Sequence, residues 1–170
     1  QIQSVDNPSV QRATLVWNAS SNFKLDGVVD PLGNRTSYTY NTYGQRTSVQ
    51  NPLGQTTSYN FTTGVGASQL QSIVNPLSQR TTFSYTSFGQ TQSVRDATGI
   101  FTTFSWDANN RLKAVQDPAG NRTSFSYGAS CNVQTVTDAT NQLTTFLYTP
   151  SGRLQQVIRP LGNVVGTVGM

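Results

Sequence analysis

Aspartate is the only carboxylate side chain in this sequence and its first candidate for acid–base chemistry. Seven Asp make up the whole acidic complement of 170 residues, with no Glu, no His and a single Cys, Cys131. Without His, the usual nucleophile–base and metal-ligand constellations cannot be assembled. A lone cysteine builds no intrachain disulfide framework, and here it has no imidazole to activate it. Two aspartates acting as acid and base remain conceivable. Their placement argues against it, because Asp30, Asp96, Asp117 and Asp138 each open a segment of the same kind. Acids that recur at turn openings are read as caps for local N–H groups. The D-x-[DN]-x-[DN]-G loop of a calcium site is missing. The sequence therefore predicts no enzyme, no metal and no cofactor.

The elements that carry these aspartates repeat. Units begin near residues 6, 30, 51, 75, 96, 117 and 138, with a partial unit from 159, so residues 1–170 read as one array. Most units are 21 residues long, and those starting at Asp6 and Asn51 are 24. Each opens on turn chemistry: Asp30, Pro31 and Gly33; Pro52 and Gly54; Pro76; Asp96 and Gly99; Asp117, Pro118 and Gly120; Asp138. Asp or Asn bonds the local backbone, Pro presets φ, and Gly accepts φ > 0. Alternation follows, with Thr36, Tyr38 and Tyr40 on one face and Arg35, Ser37 and Thr39 on the other. The aromatic pair recurs as Tyr59/Phe61, Phe83/Tyr85, Phe104/Trp106, Phe125/Tyr127 and Phe146/Tyr148. A period of two marks a strand with one buried face, so these twelve residues are the expected repeat core. A second turn carries Gly44, Gly89 or Gly152, and then comes a shorter strand. Its apolar marks, Leu112 and Val115 or Leu154 and Val157, are spaced by three, which predicts a bulge or a twist. Cys131 is placed beside a turn, where other units are read as carrying polar residues of the Gln or Ser kind. Each unit is a β-hairpin, and hairpins bury their aromatic face only by stacking on neighbours.

Composition agrees. Charged residues are 11% of the chain, while seven Tyr, eight Phe and two Trp are spread along it among Ser and Thr. Such residues suit a pleated, half-buried surface. The fold class is all-β: tandem antiparallel hairpins forming a twisted or coiled strip. The net charge of +4 comes from scattered Arg, with no stripe to neutralise successive phosphates, so no nucleic-acid partner is expected. No apolar run reaches membrane-spanning length, so no membrane partner is expected either. The start, Gln1-Ile2-Gln3-Ser4, shows no basic stretch before an apolar core and no initiator Met, which predicts a chain processed or cut from something longer.

The pattern DPxGN-R-T-x-[FY]-x-[YW]-[DN]-x-x-G-R-L-x-x-V resembles the YD, or Rhs, repeat, over residues from about 6 to 163. Trp106-Asp107 is nearest to the naming dipeptide, Tyr40-Asn41 and Trp17-Asn18 are variants, and Tyr85-Thr86, Tyr127-Gly128 and Tyr148-Thr149 depart from it. That family includes bacterial polymorphic toxins, cocoon subunits of insecticidal toxin complexes and teneurin ectodomains. The resemblance implies a hairpin strip wound into a shell that encloses a toxin or closes on itself. Some members end in an autoproteolytic core with aspartates, and none is recognisable here. Seven hairpins make a short ribbon for enclosing folded cargo.

Two readings of function follow. The leading one is a non-enzymatic structural module, a wall, shaft or filament of stacked hairpins. It would be extracellular or at the cell surface, or part of a larger Rhs-like assembly, a fragment of a toxin-encapsulating shell being the lesser version. The alternative is carbohydrate binding or adhesion, for which Tyr43, Phe88 and Phe101 are the off-pattern aromatics. Sequons at Asn18, Asn34, Asn60 and Asn121 arise readily in so Asn- and Thr-rich a chain. Self-association or an adjoining β-repeat chain is the expected partner, through edge strands. The exposed edges are expected around Thr14-Leu15-Val16-Trp17 and Asn163–Val168.

Overall fold

In the computed structural model every element is a β-strand or a turn. The structure describes all residues except 1, 7–11, 19–23, 63–67, 161–163 and 168–170, and for 2–6 and 164–167 it describes the backbone alone. The strands are β1 (Ile2–Asp6), β2 (Arg12–Asn18), β3 (Lys24–Val29), β4 (Arg35–Tyr40), β5 (Arg46–Gln50), β6 (Thr56–Phe61), β7 (Leu70–Val74) and β8 (Arg80–Tyr85). They continue as β9 (Thr91–Arg95), β10 (Phe101–Trp106), β11 (Leu112–Gln116), β12 (Arg122–Tyr127), β13 (Val133–Thr137), β14 (Leu143–Tyr148), β15 (Leu154–Ile158) and β16 (Val164–Thr167). They form a 16-stranded antiparallel sheet whose order is the order of the chain. Two units divide it, Gln1–Thr82 and Phe83–Met170.

In the first unit, β4 pairs with β5 as Tyr38↔Val49, Thr39↔Ser48 and Tyr40↔Arg46, so Thr47 is an extra residue. In the second, Phe104↔Val115, Ser105↔Ala114 and Trp106↔Leu112 leave Lys113 extra in the same way. These are the bulges expected from the three-residue spacing, and they put both Leu112 and Val115 on the aromatic side. A hairpin thus sets an aromatic against a β-branched residue, and the next strand sets a Thr against that residue, as in Val115↔Thr123. Such cross-strand pairs are the unit of sheet stabilisation.

The opposite face is made of small polar residues. Thr39 Oγ1 lies 2.7 Å from Ser48 Oγ, and Ser84 Oγ 2.7 Å from Ser93 Oγ. Arg80 Nη1 donates to Ser72 Oγ at 2.8 Å. Among the described residues, the positions of lowest exposure lie on this face, at Ala114 (2%) and Ser72 (1%). The twelve aromatics named from the sequence are half-buried instead. A single sheet has no second layer to close over its apolar side.

The expected N-terminal edge is corrected. β2, which contains Thr14–Trp17, is not an edge strand, because β1 covers it with Ile2↔Val16 through Asp6↔Arg12. At the other end β16 pairs with β15, while Asn163 and Val168 lie outside the described residues.

Candidate functional site

Among the described residues eleven connections share one geometry. In each, the N–H of the fourth residue donates to the carbonyl of the first, and the first N–H donates to the fifth carbonyl: Gly33 N to Asp30 O at 3.0 Å, Asp30 N to Asn34 O at 2.9 Å. The fourth residue is left-handed in every one. It is Gly in seven, and Ser78, Asn110, Cys131 and Asn141 in the other four, with φ of 61–65°. A β-turn followed by one left-handed residue is a regular hairpin connection. Cys131 therefore occupies the glycine position of its turn, equivalent to Gly44 and Gly152, and not a polar site beside it. It is exposed and unpaired with any other cysteine.

Five of the seven aspartates, Asp30, Asp96, Asp107, Asp117 and Asp138, sit at the first position of these turns. Asp117 Oδ1 accepts the N–H of Ala119 at 2.9 Å and of Asn121 at 2.8 Å, and its Oδ2 accepts the side-chain amide of Asn121 at 2.9 Å. Asp30 repeats this with Leu32 and Asn34. Where the first residue is Asn, the fifth becomes Gln, whose Oε1 accepts the Asn amide, as in Asn51 to Gln55 at 2.8 Å. Asn41/Gln45 and Asn75/Gln79 follow the same rule. In these five turns the first and fifth side chains are thus matched as acceptor to donor or donor to acceptor, a pairing that the sequence reading missed; at Asp96 and Asp138 the fifth residue, Ile100 or Gln142, gives its backbone N–H. Turn capping also explains the second residue of the YD dipeptide. Asp107 and Asn41 open turns as caps, Thr86 and Thr149 do so through hydroxyls, and Gly128 brings no side chain. The sequon amides of Asn34 and Asn121 are committed to these pairs.

Hydrogen bonding holds the carboxyls of Asp30, Asp96, Asp107, Asp117 and Asp138 below the ordinary value of 3.8. The largest cause is the side chain of Asn34 for Asp30, Thr98 for Asp96, Asn121 for Asp117 and Thr140 for Asp138; for Asp107 it is the Arg111 backbone N–H. A carboxyl lowered by folding adds stability above its unfolded pKa and loses that stability as pH falls through its folded pKa. Melting temperature should therefore hold steady above about pH 5 and fall on acidification below about pH 4. Four of the five lie in the second unit, so amide exchange there should rise first. The double variant Asp117→Asn/Asn121→Gln, which installs the neutral pair, should flatten part of the acid slope. An unchanged slope would mean that these caps do not set it.

At the far ends of the first strands the aromatics gain a second role. Tyr40 Oη donates to Leu25 O at 2.9 Å, Trp106 Nε1 to Thr91 O at 2.9 Å, Tyr127 Oη to Leu112 O at 2.8 Å and Tyr148 Oη to Val133 O at 2.8 Å. Every one reaches back 15 residues, into the preceding hairpin. The ladder between β3 and β4 holds three pairs, Gly27↔Ser37 to Val29↔Arg35, so past it the strand carbonyls need another donor. The aromatic tips supply it. Phe61, at the same place in β6, has no such group, and the buried indole N–H of Trp17 takes no partner among the described residues. Cations line the same side: Arg46 stands 5.6 Å from the Tyr38 ring and 5.4 Å from Tyr59, and Arg111 4.5 Å from Tyr127.

The structure does not gather the aspartates into a site. Asp30, Asp96, Asp107, Asp117 and Asp138 lie one to a turn and Asp26 lies in β3, and among the described residues no three His, Cys, Asp or Glu converge on a metal position. What opens between hairpins are shallow grooves. One of about 380 Å³ lies between turn 86–90 and the end of β10, and one of about 270 Å³ between turn 128–132 and the end of β14.

A family model described as the RHS Repeat matches residues 27–59, 85–122 and 106–130. Among solved structures, the chain is similar to one in the crystal structure of TcdB2-TccC3-Cdc42, with a TM-score of 0.60 and 12% identity, over 86% of this chain and 8% of that one. It is likewise similar to one in the crystal structure of TcdB2-TccC3, with a TM-score of 0.60 and 11% identity, over 89% of this chain and 9% of that one. The chain thus spans less than a tenth of the solved chains it matches. No curated protein matches it.

Proposed function

We propose that the chain, whose residues 27–59, 85–122 and 106–130 match the RHS Repeat model, is a non-enzymatic wall segment, a run of hairpins that continues through its terminal strands into further β-structure. The adjoining structure is more of a larger Rhs-like assembly, or a second copy of the chain adding strands head to tail into a filament. The setting is extracellular or at the cell surface, as the resemblance implies. One observation carries the reading: each hairpin depends on its predecessor for hydrogen-bond donors and acceptors, as Tyr127 Oη does on Leu112 O. A unit so built gains from a neighbour on either side. On the same reading the twelve half-buried aromatics are the core, and the Asp, Pro and Gly positions fix the turns between strands.

Sedimentation of the purified chain tests this. The expected result is a mass above 18.5 kDa that rises with concentration. A strict monomer whose β1 and β16 amides are both protected from exchange would overturn it.

A further inference from the structure

Arg46 breaks the pattern of its own row. It opens β5 opposite Tyr40, a register that holds Leu70 opposite Phe61, Leu112 opposite Trp106, Val133 opposite Tyr127 and Leu154 opposite Tyr148. A cation thus stands, exposed, where the repeat places an apolar side chain. The rings beside it are off pattern as well. Tyr38 and Tyr59 stand 5.6 and 5.4 Å from its guanidinium, and the corresponding places further along the chain hold Phe83, Phe104, Phe125 and Phe146. A hydroxyl is therefore no requirement of the repeat, and those of Tyr38 and Tyr59 take no partner among the described residues.

Charge in the first unit is uneven between its two rows of turns. Arg12, Arg35 and Arg80 open strands at the end that carries turns 30–34, 51–55 and 75–79. The three acids of the unit belong there too: Asp6 ends β1, Asp30 opens a turn, and Asp26 pairs with Arg35 at 2.9 Å. Lys24 and Arg46 open β3 and β5 at the opposite end, where residues 41–45 and 62–69 hold no acid. Turn 41–45 is closed by the neutral Asn41–Gln45 pair. Lys24 Nζ reaches the Asn41 carbonyl at 3.4 Å and stands 5.6 Å from the Tyr40 ring, and among the described residues no carboxylate lies within ion-pair distance of either cation. The second unit shows a similar arrangement completed. Arg111 stands 4.5 Å from the Tyr127 ring, and its Nε pairs with Asp107 Oδ2 at 2.7 Å. An aromatic ring takes the face of a guanidinium and leaves its N–H edge to a carboxylate. Arg46 has two rings and no carboxylate.

We propose that Arg46, with Lys24 beside it, is the docking point for an acidic segment of a partner protein, one Asp or Glu taking the N–H edge of Arg46 beside Tyr38 and Tyr59 and a second meeting Lys24. β3 and β5 lie about 10 Å apart. Acids two residues apart on an extended segment share a face at about 7 Å, a difference their side chains span. Two cations are too few for an anionic membrane, which draws clusters of about four to eight, and they form no stripe along successive phosphates. The site lies away from the terminal strands β1 and β16, so it is independent of how the array continues.

The test is a nuclear magnetic resonance titration of the ¹⁵N-labelled chain with acetylated hexaglutamate amide at physiological salt, reading the Nε–H of Arg46. The expected result is a saturable shift of that signal. Arg46→Leu should weaken binding at least about tenfold, the loss of a charge-assisted hydrogen bond. Its melting curve should hold or rise, since Leu70, Leu112 and Leu154 occupy the same register. Arg46→Lys keeps the charge without the fork and should fall between the two. Arg153→Gln, an equal loss of charge in the second unit, should leave the affinity within about twofold. No saturable shift, unchanged binding in Arg46→Leu, or equal weakening by Arg153→Gln would overturn the assignment. So would a collapse of the Arg46→Leu melting curve, which would make Arg46 a strut of the aromatic row, or equally tight binding of hexathymidylate, which would give the cations to phosphate.

Discussion

Trp106→Ala is expected to lower stability by about 3 kcal/mol, the low end for a buried tryptophan because this one is only half-buried. The indole closes the groove end of β10, stands across from Leu112 beside the Lys113 bulge, and gives its N–H to Thr91 O at 2.9 Å. Those contributions differ in size. The hydrogen bond is worth about 1 kcal/mol net, and less where an open groove lets water replace it. The apolar ring supplies the rest. Trp106→Phe should therefore cost about 1 kcal/mol, and the gap between the two variants reads the ring alone. Urea unfolding followed by far-ultraviolet circular dichroism makes the measurement without relying on the fluorophore that is removed. If Trp106→Ala melts within a degree or two of the parent, the aromatic row is not what holds neighbouring hairpins together.

Much of this architecture is legible in the residues. Alternation in Arg35–Tyr40 gives strand and face, and the three-residue spacing of Leu112 and Val115 gives the bulge, because a period of two cannot otherwise place both on one side. Turn openings at Asp30 and Asp117 are equally plain, since Asp-Pro before a Gly has few other uses. Three features escaped. Cys131 was not recognised as a left-handed residue, because Cys carries no preference for φ > 0 and the alignment of its unit gives the only clue. The coupling of Asp with Asn and of Asn with Gln across four residues was hidden because each amide, taken alone, is an ordinary polar residue. The groove was out of reach for a different reason. It forms where one hairpin diverges from the next, and Phe88, marked in the sequence only as an off-pattern aromatic, meets Trp106, eighteen positions on, only in the folded hairpins.

The largest effect in the first unit should come from Gly27→Val, at about 2–3 kcal/mol of lost stability. Gly27 is not needed for its backbone angle; it is needed for space. A Cβ there would stand 2.9 Å from the Thr36 carbonyl oxygen and 3.1 Å from both Nε and Nη2 of Arg35. The Arg35 guanidinium can yield, because its pair with Asp26 at 2.9 Å is a surface ion pair of small worth. The Thr36 carbonyl is backbone in the β3–β4 ladder and yields only if the strands part. Equivalent positions carry Ser72 and Ala114, both almost wholly buried, so the repeat does accept one small side chain when the ladder is set for it. Gly27→Ala should already cost about 1 kcal/mol, because its Cβ meets the Thr36 carbonyl and a less flexible unfolded chain, worth about 0.4–1 kcal/mol, offsets only part of that crowding. Valine adds two methyl groups with a stiff χ1 and no rotamer that turns both away from Arg35 and Thr36. The contrast is the measurement. If Val is tolerated as well as Ala in urea unfolding, the face of small residues is a matter of composition; if Val costs clearly more than Ala, close approach of neighbouring hairpins is what keeps that face small.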